Sequence, residues 1–142
     1  MNLSDKKAYS KGEIKTRKAI AIDFDGCLCS DAYPNIGKPH REIIEKALAE
    51  KANGTALILW TCREGQQLQE AIEACKRWGL SCDAVNDNLP EQVSAFGSNP
   101  RKIGADEYWD DRAVHIPEHL QNSDFPQSWH TWIFNRFTRS ER

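Results

Sequence analysis

Three observations predict an α/β fold, a mostly parallel sheet held between layers of helices. Short, largely apolar runs recur at residues 19–22 and 55–60, too short for helices and bounded by turn residues. The segments that follow them carry apolar residues at helical spacing. Each run also ends in polar residues able to do chemistry, and ligands of open α/β sheets bind just beyond the carboxyl ends of the strands. Strand and helix alternate as in a doubly wound sheet with right-handed crossovers.

The first strand, residues 19–22, runs directly into Asp23-Phe24-Asp25-Gly26. Two residues apart on an extended chain, Asp23 and Asp25 start on one face. Such carboxylates repel unless one is protonated or a cation lies between them. A hard, oxygen-seeking divalent ion such as magnesium suits the pair. Residues 27–38 form an irregular flap over this strand end. A helix starts near Pro39 and buries Ile43, Ile44, Ala47 and Leu48; Asn53-Gly54 ends it.

The second strand, residues 55–60, ends in Thr61-Cys62-Arg63, and Glu64 opens a helix with Leu68, Ala71, Ile72, Cys75 and Trp78 on one face. A third strand at residues 82–85 ends at Asn86. Residues 88–99, broken by Pro90 and Gly97, read as a loop with at most one helical turn. Tyr108-Trp109 ends a fourth strand that delivers Asp110-Asp111 to the same sheet edge. Residues 113–116 are expected to form a short fifth strand closed by Pro117. In the tail, Trp129, Trp132, Ile133 and Phe137 fall at helical spacing near Arg136, Arg139 and Arg142. A final helix packed on the core or on a second copy of the chain is expected, with a membrane-surface helix as the alternative.

A length of 142 residues fits one domain with a real core. The division expected is a flexible basic arm at 1–17, a catalytic core at 18–117 and a tail at 118–142. A net charge of −2 carries no global signal for nucleic acid, although the arm is locally basic. No apolar run is long enough to span a membrane. Five cysteines, an odd number without zinc-ligand spacing, fit reduced thiols in a cytoplasmic protein.

The strand ends thus gather Asp23, Asp25, Thr61, Asp110 and Asp111, with Arg63, Arg101 and Lys102 close by. A carboxylate cluster of this kind holds a phosphate dianion once a divalent cation and a lysine are added. In this order the residues resemble the motifs of the haloacid dehalogenase-like superfamily, and are most similar to its small capless phosphatases. The resemblance spans residues 18–112. It implies a three-layer Rossmann-like core without a cap domain, and a Mg²⁺-dependent phosphomonoester hydrolase acting on a small phosphorylated metabolite or nucleotide.

The resemblance also implies roles. Asp23 would be the nucleophile that becomes an aspartyl-phosphate, and Asp25 the general acid and then base. Asp23, the backbone carbonyl of Asp25, and Asp110 and Asp111 would hold Mg²⁺. Thr61 and Lys102 would contact the phosphoryl group, with Arg101 or Lys38 as alternatives to Lys102. Arg63 would either touch the leaving group or sit on the surface at a helix start. Cys27 stands where these proteins usually carry Thr or Val, a thiol open to oxidation.

Other classes compete. A receiver-like phospho-acceptor domain also combines acidic residues, Thr and Lys, but there the adjacent acidic pair comes first in the chain. A phosphatase of nucleic-acid ends draws on the open site and the basic arm. A non-catalytic phosphate- or metal-binding module leaves the carboxylate set unused, and a two-carboxylate glycosidase needs neither metal nor lysine.

Overall fold

The computed structural model describes residues 16–121. Four strands form one sheet in the order β3-β2-β1-β4, and every neighbouring pair is parallel. The central strands are β1, Ala19–Ile22, and β2, Ala56–Leu59, and every residue of both is buried. The edge strands β3, Ala84–Val85, and β4, Glu107–Trp109, are shorter and less buried. A strand flanked on both sides and covered on both faces has no polar face to show.

Helix α1, Arg41–Ala52, follows β1; α2, Gly65–Arg77, follows β2; and α3, Pro90–Phe96, follows β3. Alternate side chains divide the core. Ile20, Ile22, Leu57 and Leu59 pack with Ile44 and Ala47 of α1 and with Ala71, Ala74 and Cys75 of α2. Ala19, Ala21, Ala56 and Ile58 face the other way, against Leu89, Ile103 and Ala105. Small alanines on that face let the segment around α3 approach closely, so the third layer is thin. The chain is therefore a three-layer α/β core with a Rossmann-like parallel sheet.

The winding places the site. From β1 the chain steps outward to β2 and β3, then returns across the opposite face to set β4 on the far side of β1. The strand order reverses between β1 and β4, and the crevice beyond their carboxyl ends is the switch point where ligands of such sheets bind.

Three local expectations are corrected. α3 is a full seven-residue helix where one turn at most was expected, because Pro90 sits in its first turn, where a missing N–H costs nothing. Residues 113–116 form no strand; Val114 and Ile116 are exposed, since no neighbouring strand is there to pair with them. β3 begins at Ala84, two residues late, because the Asp83 carboxylate itself accepts the Leu57 N–H at 2.8 Å.

The tail helix and nearly all of the basic arm lie outside the described residues. Arg17, the arm's last residue, is docked on the core through Asp83 at 3.2 Å and Glu91 at 3.0 Å. No helix among the described residues is long and apolar enough to cross a membrane.

Candidate functional site

Asp23 leaves β1 at the switch point. Its N–H donates to the Trp109 carbonyl at 2.9 Å, so β1 stays paired with β4 up to the site. Its Oδ1 accepts the Phe24 N–H at 2.7 Å, which fixes the carboxylate's orientation. Asp110 and Asp111 leave β4 beside it, and one oxygen from each of the three carboxylates lies within 4.8 Å of the others. Burial pushes the Asp23 carboxyl up to about 6, and the charges of Asp110, Asp111 and Asp25 add to the rise.

Gly26 makes this convergence possible. Its φ of +81° is a left-handed conformation, and a Cβ there would lie 2.5 Å from Asp111 Oδ2. The cradle is thus closed to any side chain but hydrogen. Three hard oxygen donors from two adjacent strand ends, mutually repelling, with Asp23 partly buried and Asp110 and Asp111 exposed, fit a small divalent cation such as Mg²⁺. The other members of the sequence-predicted cluster behave differently from one another.

Thr61 follows β2, next to β1. Its N–H donates to Asn86 Oδ1 at 2.8 Å, and its hydroxyl oxygen accepts the Arg63 N–H at 3.1 Å. The hydroxyl hydrogen remains for an incoming acceptor. Asn86 holds the Thr61 loop from the end of β3 in a left-handed conformation, φ 50°. The sequence marks it only as a strand end, although Asn tolerates that conformation better than most residues.

Arg63 is the main correction. Against the reading as a surface residue, it is 1% exposed and clamps Asp25 in a bidentate pair, Nε to Oδ2 at 2.7 Å and Nη2 to Oδ1 at 2.7 Å. The same guanidinium donates to the carbonyls of Pro34 at 3.1 Å and Asn35 at 2.7 Å, and lies over the rings of Phe24 and Tyr33. Its hydrogen bonds to Asp25 raise its affinity for its proton further. The Asp25 carboxylate is thus engaged by Arg63 and is not among the oxygens that converge with those of Asp23, Asp110 and Asp111.

Lys102 is exposed, with its ammonium 5.8 Å from the centre of the Tyr108 ring. Among the described residues no ion pair links Lys102, Arg101 or Lys38 to Asp23. Cys27 is half-buried with its Sγ 3.6 Å from the Trp109 carbonyl, and burial followed by the Asp23 charge pushes its thiol up to about 12. It stays a thiol at neutral pH, the less reactive form.

A cleft beside the carboxylates runs between Gly26, Cys27, Trp109 and the start of α1, where His40, Ile43 and Lys46 line it. The Nδ1 of His40 is 2.9 Å from the Cys27 carbonyl and must carry the proton of that contact, which leaves Nε2 for other partners. Neither His40 nor Trp109 was a sequence candidate, since neither stands in a motif; both reach the site through tertiary packing.

Fold and site define the class: a doubly wound parallel-sheet protein with an acidic cluster at its switch point. The chain is similar to a solved structure described as that of a conserved protein coded by a locus from Bacteroides thetaiotaomicron, with 34% identity and a TM-score of 0.61. The match covers 89% of this chain and 94% of that one, and the chain belongs to the family of that protein. No protein-family model matches the chain, and no curated protein does.

Proposed function

We propose that this chain is a phosphomonoester hydrolase of the haloacid dehalogenase-like type, dependent on Mg²⁺ and working through an aspartyl-phosphate on Asp23. The observation that carries this reading is the convergence of Asp23, Asp110 and Asp111 at the switch point, with the Thr61 hydroxyl on the adjacent strand end. Asp23, Asp110, Asp111 and the Asp25 carbonyl would hold the ion, which offsets charge on the transferring phosphoryl oxygens.

The oxygen of Asp23 not tied to the Phe24 N–H attacks phosphorus in line, and the ester oxygen departs. Thr61 donates its hydroxyl hydrogen to a phosphoryl oxygen and orients the group. Water then adds to phosphorus and breaks the bond to Asp23. The substrate is a phosphorylated small molecule or nucleotide, with its leaving group in the cleft walled by Ile43 and Trp109. Acid quenching during turnover, followed by borohydride reduction, should convert residue 23 to homoserine, read by peptide mass. An untouched Asp23 at full turnover would contradict the reading.

One observation favours a second reading, a phospho-acceptor domain. The Asp25 carboxylate, the expected base for hastening loss of the phosphoryl group, is already engaged by Arg63. A phospho-Asp23 that outlasts many catalytic cycles after acetyl phosphate treatment would decide for it.

A further inference from the structure

Resting on the phosphoryl-transfer reading, we infer that the cleft between α1 and β4 is a sugar site and that His40 is its specificity-determining residue. The leaving group it selects is an uncharged sugar ring, free or within a nucleoside, rather than one carrying a second anion.

The cleft has the size and the position for a leaving group. Its volume is about 480 Å³, within the range of small-molecule sites, and Asp110 and Asp111 of the acidic cluster line it. His40, Ile43 and Lys46 stand three residues apart and so share one face as α1 begins, and Trp109 completes the wall.

That wall suits the C–H face of a sugar. Trp109 donates its Nε1–H to Glu107 Oε2 at 2.9 Å, which holds the indole in place and leaves it no donor to offer. Ile43 adds an aliphatic surface. An aromatic ring beside an aliphatic side chain packs against the apolar side of a pyranose or furanose.

The polar groups of the cleft are mostly acceptors. The His40 Nδ1 proton is committed to the Cys27 carbonyl at 2.9 Å, so a neutral imidazole there presents the lone pair of Nε2. Ionised, Asp110 and Asp111 accept hydrogen bonds and donate none. Hydroxyl hydrogens are the complement of such a lining. A second anion is not. The one cation that lines the cleft, Lys46, is already paired with Glu42 at 3.2 Å. Three carboxylates around one divalent ion leave the neighbourhood negative, so a further phosphate or carboxylate on the leaving group would be repelled.

The test compares kcat/KM for the full chain with Mg²⁺ at pH 8 over three sets of esters. The first holds hexose and pentose phosphates and a nucleoside 5′-monophosphate. The second holds their deoxy analogues and a plain alkyl phosphate, and the third holds sugar bisphosphates. The first set should lead the second by roughly ten- to a hundredfold, the worth of a hydroxyl bonded in a site built for it. Bisphosphates should be poorer than their monophosphates. His40→Asn places an amide N–H where Nδ1 donates to Cys27 but removes Nε2, and should erase the preference mainly through KM. His40→Gln, whose amide reaches the Nε2 position, should restore part of it. Within the first set, sugar phosphates ahead of the nucleotide point to the free ring, and the reverse order to the nucleoside; either supports the site. A preference that survives His40→Asn would overturn the inference, since a mere staple of the Cys27 carbonyl survives that change. Bisphosphates cleaved faster than monophosphates, with the advantage lost in Lys46→Met, would overturn it as well and leave the phosphatase reading standing. No turnover of any ester would sink that reading and this inference together.

Discussion

Asp23 carries a conflict between charge and stability. Its carboxyl titrates near 6 in the folded chain and near 3.8 when unfolded, so between those values the folded state holds the extra proton. That contribution to stability is complete below about 4 and lost as pH rises through about 6. At pH 7 without metal, Asp23→Asn is expected to stabilise the fold by roughly 1 kcal/mol after discounting for solvent screening, while abolishing any turnover. Thermal melts at pH 4 and pH 7 in EDTA check the sign: the gain should appear only at the higher pH. Arg63 behaves in the opposite sense. Arg63→Met should cost about 3–5 kcal/mol in urea unfolding, as expected of a broken buried pair. A loss under about 1 kcal/mol would reduce the clamp to a surface ion pair. Its burial was illegible in the sequence because both its partner Asp25 and the aromatic rings that flank it come from far along the chain. Asp23 and the Asp110-Asp111 pair were legible because each directly follows the strand that delivers it.

Among the elements, β1, β2, α1 and α2 could be read in advance, since continuous burial writes continuous apolar runs and one-sided burial writes helical spacing. The segment 86–105 could not, because its order comes from polar side chains rather than periodicity. Asn88 is buried and staples it, donating to Asn99 Oδ1 at 2.9 Å and the Pro100 carbonyl at 3.0 Å and accepting the Gly104 N–H at 2.7 Å. Asn88→Ala should cost about 1–3 kcal/mol by leaving the Gly104 N–H unsatisfied, and hydrogen exchange should quicken over residues 97–105. Exchange unchanged there would mean the loop is held by its apolar contacts alone. Residues 113–116 teach the converse: an apolar run is a strand only where a neighbour offers a ladder.

For the whole molecule, function follows from topology. The reversal of strand order between β1 and β4 brings together residues nearly ninety positions apart in the chain, and the short linkage of Asp23 and Trp109 by a backbone hydrogen bond holds them there. A cation that binds this site only in the folded state must stabilise the entire chain. At a hundred times its dissociation constant Mg²⁺ should add about 2.7 kcal/mol at pH 7, and the Asp110→Asn, Asp111→Asn double variant should lose the gain. The most direct test of the account is release of inorganic phosphate from acetyl phosphate, nucleotides and sugar phosphates, measured with Mg²⁺, with EDTA, and with Asp23→Asn. The account predicts release that needs both the metal and Asp23. Release that survives in EDTA or in the Asp23→Asn chain would contradict it.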